Sequence, residues 1–324
     1  MSGREVAVLG LGSIGLRHAG NAIRLDARVV GFDPDAARRA LLKDLGGTPV
    51  DSREVAIDTV GAVVVASPNR FHHEDMKAAI SAGRHVFAEK PLAHLTAGVS
   101  QTLDAADSGK LVVQVGQNIR YHPAVRRARR LLDEGALGQI LWARLVFASH
   151  LPSWRAGQDY RTGYTNDPVT GGVIFDMVHE IDLAAHLLGP FQAAAATARR
   201  SPEIEIASES SAALILQHEG GAFSSLMLDY GTLPTVRTTQ IAGTEGVLDL
   251  DLEVRRIRLT DAAGASVLDE HFSGGYADDY VDELANFFAS IDGTETPLCD
   301  GREALKILEQ VLKARELAGL ENPR

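Results

Sequence analysis

The stretch Gly171-Gly172-Val-Ile-Phe-Asp176-Met-Val-His179-Glu180-Ile-Asp182 holds acid and base groups at helical spacing. Asp176 and Asp182 each stand three residues from His179, so in a helix all three side chains lie near one face. An imidazole so placed can take a hydroxyl proton, and a carboxylate beside it can orient the ring and stabilise its charged form. The twin glycines would let a ligand approach the backbone, and a polar cluster that merely fixes the helix is the plain alternative. No metal is expected, because the HExxH pattern is absent and no further ligand cluster stands out. A second stretch runs from Ser149 through Trp154 and Arg155, then Asp159-Tyr160-Arg161, to Tyr164. Its rings and arginines suit a polyhydroxylated ligand, and would equally suit a subunit contact. The third candidate is Lys90, between Glu89 and Pro91 at the end of an apolar run. As a residue type it reads either as catalytic or as a solvated charge paired with Glu89.

The elements that must position these groups begin at Glu5 to Leu9, an apolar run opening into Gly10-Leu11-Gly12-Ser13-Ile14-Gly15 and then a helical pattern. In such a strand–turn–helix the first glycine permits the turn, the second lets the backbone approach a pyrophosphate, and the third lets helix and strand pack closely. The unpaired N–H groups and dipole of the helix N-terminus, at Ser13 and Ile14, hold phosphate. Asp33 closes the second strand, Arg28 to Phe32, where its carboxylate would accept from the ribose hydroxyls and repel a 2′-phosphate. NAD is therefore expected over NADP, with Arg38 as the residue that could turn towards a 2′-phosphate. Further strands are predicted at Ala62 to Ala66, His85 to Ala88 and Leu111 to Gly116, with helices between them from Pro34 to Asp44, Asp51 to Ile57, His73 to Ala82 and Leu95 to Asp107. This is a doubly wound parallel sheet, whose chemistry gathers at the carboxyl ends of the strands. Those ends supply the glycine turn, Asp33, the turn Ser67-Pro68-Asn69, and Glu89-Lys90-Pro91.

From Gln139 onward the pattern changes to eight strand-like segments, between Ile140 to Ala148 and Ser266 to Phe272, several separated by glycine turns. The arginine-rich stretch Ala124 to Glu134 precedes them and one helix, Gly172 to Leu188, interrupts them. Two more helices, Asp278 to Ile291 and Gly301 to Ala318, close the chain. The fold class expected is α/β: a nucleotide-binding domain over residues 1–121, then a domain over 122–324 with a large, open, mostly antiparallel sheet. One face of that sheet would need a partner, so a homodimer or homotetramer is expected. With 324 residues and 45% hydrophobic content, the chain has ample core for two domains. The net charge of −11 and pI near 5.5 argue against nucleic acid or an anionic membrane as partner. A single cysteine, Cys299, excludes an internal disulfide. The first strand starts too near Met1 for a signal peptide and no apolar run spans a bilayer, so a cytoplasmic protein is expected.

Taken together these stretches resemble the glucose–fructose oxidoreductase, inositol dehydrogenase and rhizopine catabolism family, Gfo/Idh/MocA. The resemblance rests on Gly10-Leu-Gly-Ser-Ile-Gly-Leu-Arg17-His18, Ser67-Pro-Asn69-Arg-Phe-His72 and Ala88-Glu-Lys90-Pro-Leu. Asn118, Arg120, His122-Pro123 and the Gly-Gly…Asp…His…Asp helix complete it. It implies NAD(P) and oxidation of a secondary alcohol on a sugar or cyclitol. Lys90 would then hydrogen-bond the reacting hydroxyl, and His179 would be the acid/base, with Asp176 beside it. Glu89 would position the nicotinamide ribose or Lys90 itself. Ser67, Pro68, Asn69, His72 and Asn118 would line the cofactor, and Arg120, His122, Trp154, Arg155, Tyr160, Arg161 and Asp182 the substrate. Many members place the aspartate four residues before the histidine, where this chain has Phe175. The family also admits two other readings: redox-neutral cleavage of a glycoside with transient use of NAD, and a cofactor-binding sensor without turnover.

Overall fold

A computed structural model describes residues 4–154 and 159–323. They form two compact units, divided at Asn118/Ile119, Gly274/Gly275 and Leu308/Glu309: residues 4–118 with 275–308, and the described residues from 119 to 274 with 309–323. The first boundary lies three residues before the expected one. Two consecutive segments do not account for the division, because the chain returns to its first unit near residue 275.

The first unit begins with strand β1 (Glu5–Leu9), helix α1 (Ser13–Arg24), β2 (Arg28–Phe32), α2 (Ala36–Asp44), the short β3 (Thr48–Pro49) and α3 (Arg53–Asp58). It continues through β4 (Ala62–Val65), α4 (Asn69–Ser81), β5 (His85–Ala88), α5 (Val99–Ser108) and β6 (Val113–Val115). The strands are all parallel in the order β3-β2-β1-β4-β5-β6, with β1 between β2 and β4. Chain order reverses beside β1, so the crevice at its carboxyl end is where a ligand binds in sheets of this kind. The sequence of β4, Ala-Val-Val-Val, is buried at every position, as a strand covered on both faces requires. β3 was not among the expected strands; two residues leave no periodicity to read.

In the second unit α6 (Pro123–Asp133) leads to β7 (Ile140–Ala148), then α7 (Val173–Asp176) and α8 (Val178–Leu188). The strands β8 (Phe191–Arg199), β9 (Ser211–His218), β10 (Phe223–Asp229) and β11 (Val236–Gly243) follow. β12 (Gly246–Asp251), β13 (Arg256–Asp261) and β14 (Ser266–His271) complete the sheet. Its order is β14-β13-β12-β11-β7-β10-β9-β8, antiparallel throughout except for the parallel pair β7 and β10. Leu145, Leu214, Leu216, Leu226 and Leu228 are buried. On the alternate positions Ile215, Phe223 and Met227 are 40%, 52% and 46% exposed. The single helix expected over Gly172 to Leu188 is two, broken at Met177, whose backbone (φ −89°, ψ 28°) leaves helical geometry.

Helix α9 (Tyr276–Ile291) packs its Leu284, Phe287 and Phe288, at helical spacing, into the core of the first unit with Val6, Val8 and Phe87. That apolar stripe is why the chain returns. Helix α10 (Gly301–Leu317) ends the fold. No helix among the described residues is long and apolar enough to cross a membrane.

Candidate active site

In the nucleotide unit the glycine turn is built as its spacing requires. Gly10 has φ +86°, donates its N–H to Phe32 O at 2.9 Å, and has no room for a side chain, since a Cβ would lie 2.6 Å from Ala66 O. A Cβ on Gly15 would fall 1.8 Å from Gly10 O, so this glycine is what lets helix and turn touch. A Cβ on Gly12 meets only the Arg38 guanidinium, at 3.6 Å, and the N-terminus of α1 there has no side-chain cap. The peptide N–H groups at Ser13 and Ile14 are thus presented at an uncapped helix start that suits a pyrophosphate. Asp33 is held by its own loop: Oδ2 accepts from Leu11 N at 2.8 Å and Oδ1 from Asp35 N at 2.9 Å. Arg38 Nη1 stands 3.6 Å from Oδ2, so the residue that could favour a 2′-phosphate is parked on the one that opposes it. These groups fit a dinucleotide.

Around Lys90 the chain is fixed on several sides. The Lys90–Pro91 bond is cis, and Glu89 Oε2 accepts the Lys90 N–H at 3.1 Å. His18 Nε2 meets Glu89 Oε1 at 2.6 Å, and the Glu89 carboxyl is buried. Between the two roles expected of Glu89, its contacts are those of a support for the Lys90 turn. His72 is buried too, with Nδ1 2.8 Å from Pro91 O and Nε2 2.7 Å from Ser67 O. It ties the Ser67-Pro68-Asn69 turn to Pro91, a bracing contact, and burial pushes its pKa down. Ser67 Oγ donates to Asp75 at 2.7 Å, while Pro68 and Asn69 open α4. Asn118 is buried, and neither atom of its amide has a hydrogen-bond partner among the described residues. An orphaned buried amide is one that a ligand's polar group would complete.

In the second unit Asp176 ends α7 and is held by two phenols: Tyr164 donates to Oδ1 at 2.5 Å and Tyr230 to Oδ2 at 3.1 Å. Tyr230 is fully buried, and burial together with the Asp176 charge pushes its own pKa up. Trp154 stands edge-on to Tyr230 at 5.5 Å, lies parallel to Phe147 at 6.4 Å and donates to Ser149 Oγ at 2.8 Å. His179 is 7% exposed, on the first turn of α8. The break at Met177 means that Asp176 and His179 do not share one continuous helical face. The twin glycines do not leave the backbone open to a ligand. A Cβ on Gly171 would lie 2.4 Å from Tyr164 O, and one on Gly172, at φ +90°, 2.2 Å from Glu209 Oε2. They are glycines because the protein's own atoms fill that space.

Several expected substrate contacts are spent inside the fold. Arg120 and Asp182, both 1% exposed, form a two-pronged pair, Nε to Oδ2 at 2.8 Å and Nη2 to Oδ1 at 2.6 Å. His122 caps α6, its Nδ1 accepting from Ala124 N at 3.2 Å, and burial, with Arg255 beside it, pushes its pKa down to about 4. Arg161 is exposed and paired with Asp159 and Glu205, and Tyr160 Oη accepts from Glu205 N at 3.3 Å. Arg155 lies outside the described residues. Sequence reasoning missed Tyr230, Glu209 and Arg315. Tyr230 meets Asp176 from 54 residues away, Arg315 donates to Glu209 at 3.0 Å from 106 away, and no local spacing carries such a signal.

Comparison with known proteins agrees with this architecture. A family model described as an oxidoreductase family with an NAD-binding Rossmann fold matches residues 4–117, and one described as the GFO/IDH/MocA C-terminal domain matches 125–249. The chain is 26% identical to a myo-inositol 2-dehydrogenase of Thermotoga maritima over 92% of this chain and 91% of that one. It is 32% identical to a levoglucosan dehydrogenase of Pseudarthrobacter phenanthrenivorans over 64% of this chain. That match spans only 48% of the relative's own length, and a match to an uncharacterised oxidoreductase of Streptococcus pneumoniae spans 42%. A solved levoglucosan dehydrogenase in complex with NADH and levoglucosan superposes with a TM-score of 0.88 at 22% identity, covering 98% of this chain and 97% of that one.

Proposed function

Because the chain belongs to the Gfo/Idh/MocA family of NAD-binding oxidoreductases, we propose that it transfers hydride reversibly between a secondary ring hydroxyl and NAD. The substrate class is a sugar, sugar derivative or cyclitol, the class named in the inositol and levoglucosan relatives. What supports the reading most is one observation in the nucleotide unit. A turn fitted to a pyrophosphate stands two strands from a lysine whose backbone N–H is held by Glu89.

When bound, NAD supplies the hydride acceptor. Gly10, Gly12, Ser13, Ile14 and Gly15 hold its phosphates, and Asp33 accepts from the adenosine ribose. The turn Ser67-Pro68-Asn69 and the Asn118 amide supply further cofactor contacts. Lys90 donates a hydrogen bond to the reacting oxygen and steadies the negative charge that grows there as the C–H bond breaks. His179 takes the hydroxyl proton, so no free alkoxide forms, and returns it in the reverse direction. Asp176, with both oxygens fixed by Tyr164 and Tyr230, binds substrate near His179 from a preset position. Trp154, set by its contacts with Phe147, Tyr230 and Ser149, offers an aromatic face to the sugar. Arg120, His122 and Asp182, engaged within the fold, have no direct part in this reading.

The experiment is a panel of inositols, anhydrosugars, aminosugars and sugar acids, with NAD and separately NADP, followed by absorbance of the reduced cofactor. Turnover with one substrate class and NAD supports the reading. Release of an aglycone without net NADH would replace it by redox-neutral glycoside cleavage. NAD binding with neither outcome would replace it by a sensor.

A further inference from the structure

Behind the Lys90 turn the nucleotide unit buries His18 from α1, Glu89 from the end of β5 and Glu283 from α9. One polar atom from each lies within 4.8 Å of the other two. His18 and Glu283 are 0% exposed and Glu89 is 7% exposed. Gly116 crowds the group, since a Cβ there would come within 3.3 Å of Glu89 Oε1. Neither carboxylate oxygen of Glu283 has a hydrogen-bond partner among the described residues, and His18 Nδ1 has none either.

Two buried carboxylates this close do not both ionise. Glu89 is the one with partners. Burial works against its charge, but the His18 hydrogen bond, and then Lys90, hold its carboxyl below the usual range. Glu283 goes the other way: burial, then the charges of Glu89 and Asp279, push it well up, against the opposing pull of Arg17. A shared metal ion fits less well than a proton. The 2.6 Å contact between His18 and Glu89 is a hydrogen bond, whereas two ligands of one tetrahedral zinc with arms of ~2.0 Å stand ~3.3 Å apart.

We propose that His18 and a protonated Glu283 are positioning residues that hold Glu89 as the ionised acceptor for the Lys90 amide, and so set the conformation of the turn that carries Lys90. His18 donates to one oxygen of Glu89, and the other is left for the Lys90 N–H. Glu283 fills the remaining space without adding a second negative charge. The importance of that turn rests on the reading of Lys90 above.

The test reads the Lys90 amide directly. The chain has six lysines, so protein labelled with ¹⁵N-lysine gives six amide signals, of which Lys90's is the one lost in Lys90→Arg. His18→Ala and Glu283→Ala should move that signal upfield and speed its exchange with solvent. His18→Gln, which returns an N–H donor, and Glu283→Gln, which mimics a protonated acid, should restore it. The infrared spectrum should contain a buried protonated carboxyl band that Glu283→Gln removes. If Glu283→Ala does not fold, the band and the glutamine variant carry the test alone. A Lys90 signal unmoved in the folded alanine variants, no protonated carboxyl band, or one equivalent of zinc bound and lost in Glu283→Gln would each overturn the proposal. None of these readouts involves turnover. Normal NADH production by a Lys90 variant would defeat the catalytic reading and leave them unaffected.

Discussion

On the proposed reading Asp33 recognises the cofactor and Lys90 acts beside it. Asp33→Ala should weaken NAD about ten-fold or more, from loss of charge-assisted hydrogen bonds, and weaken NADP less. Titration of each cofactor checks this, and equal weakening would remove ribose recognition as the role of Asp33. The glycine turn, the aspartate at the next strand end and Glu-Lys-Pro were legible because they are local patterns whose order along the chain carries the meaning. What surrounds them was not. Glu283 lies 194 residues from Glu89, and Tyr230 lies 54 from Asp176, so only the fold brings them together. For the same reason Arg120 and Asp182, assigned to the substrate by the family resemblance, were not seen to pair with each other.

The segment Gly171 to Leu188 is where element-level reading and structure part. Its composition predicts one helix, but the turn at Met177 divides it, and the glycines before it serve a clamp. Arg315, fully buried on α10, donates to Glu209 at 3.0 Å and stacks over Phe175 at 4.6 Å. It also reaches the carbonyls of Pro168 and Val169, both at 3.2 Å, and of Glu321 at 2.9 Å. Burial of this pair pushes Glu209 up and Arg315 down, the direction in which each charge is costly without the other. Arg315→Met should therefore destabilise the protein by about 3–5 kcal/mol, and adding Glu209→Gln should recover most of the loss, as read by denaturant unfolding. His122 gives a pH signature on α6. Its pKa is depressed in the folded protein to about 4 from an ordinary 6.5, so the unfolded chain binds more protons between those values. Stability should fall as pH drops from 6.5 towards 4, by up to about 3 kcal/mol from this residue. His122→Asn keeps an acceptor for the Ala124 N–H but cannot titrate. It should flatten that limb in thermal unfolding across pH, and an unchanged limb would assign it to other groups, His186 first, whose pKa burial pushes down to about 3.

At the scale of the whole molecule the large sheet leaves Ile215, Phe223 and Met227 on an apolar outer face. Such a patch marks an association surface, and we propose a homodimer or homotetramer paired through it. Ile215→Lys with Met227→Lys should reduce the mass found by light scattering while leaving NAD affinity unchanged; an unchanged mass would move the interface elsewhere. Lys90 belongs to the first unit, and Asp176 and His179 to the second. The measurement that reaches the centre of this account is NADH formation by wild type and Lys90→Ala on the best substrate of the panel, with NAD affinity titrated in parallel. The account predicts that the variant binds NAD within about two-fold of wild type and loses turnover by about a hundred- to a thousand-fold, as for a preorganised donor at a developing oxyanion. Turnover by Lys90→Ala at the wild-type rate would contradict it.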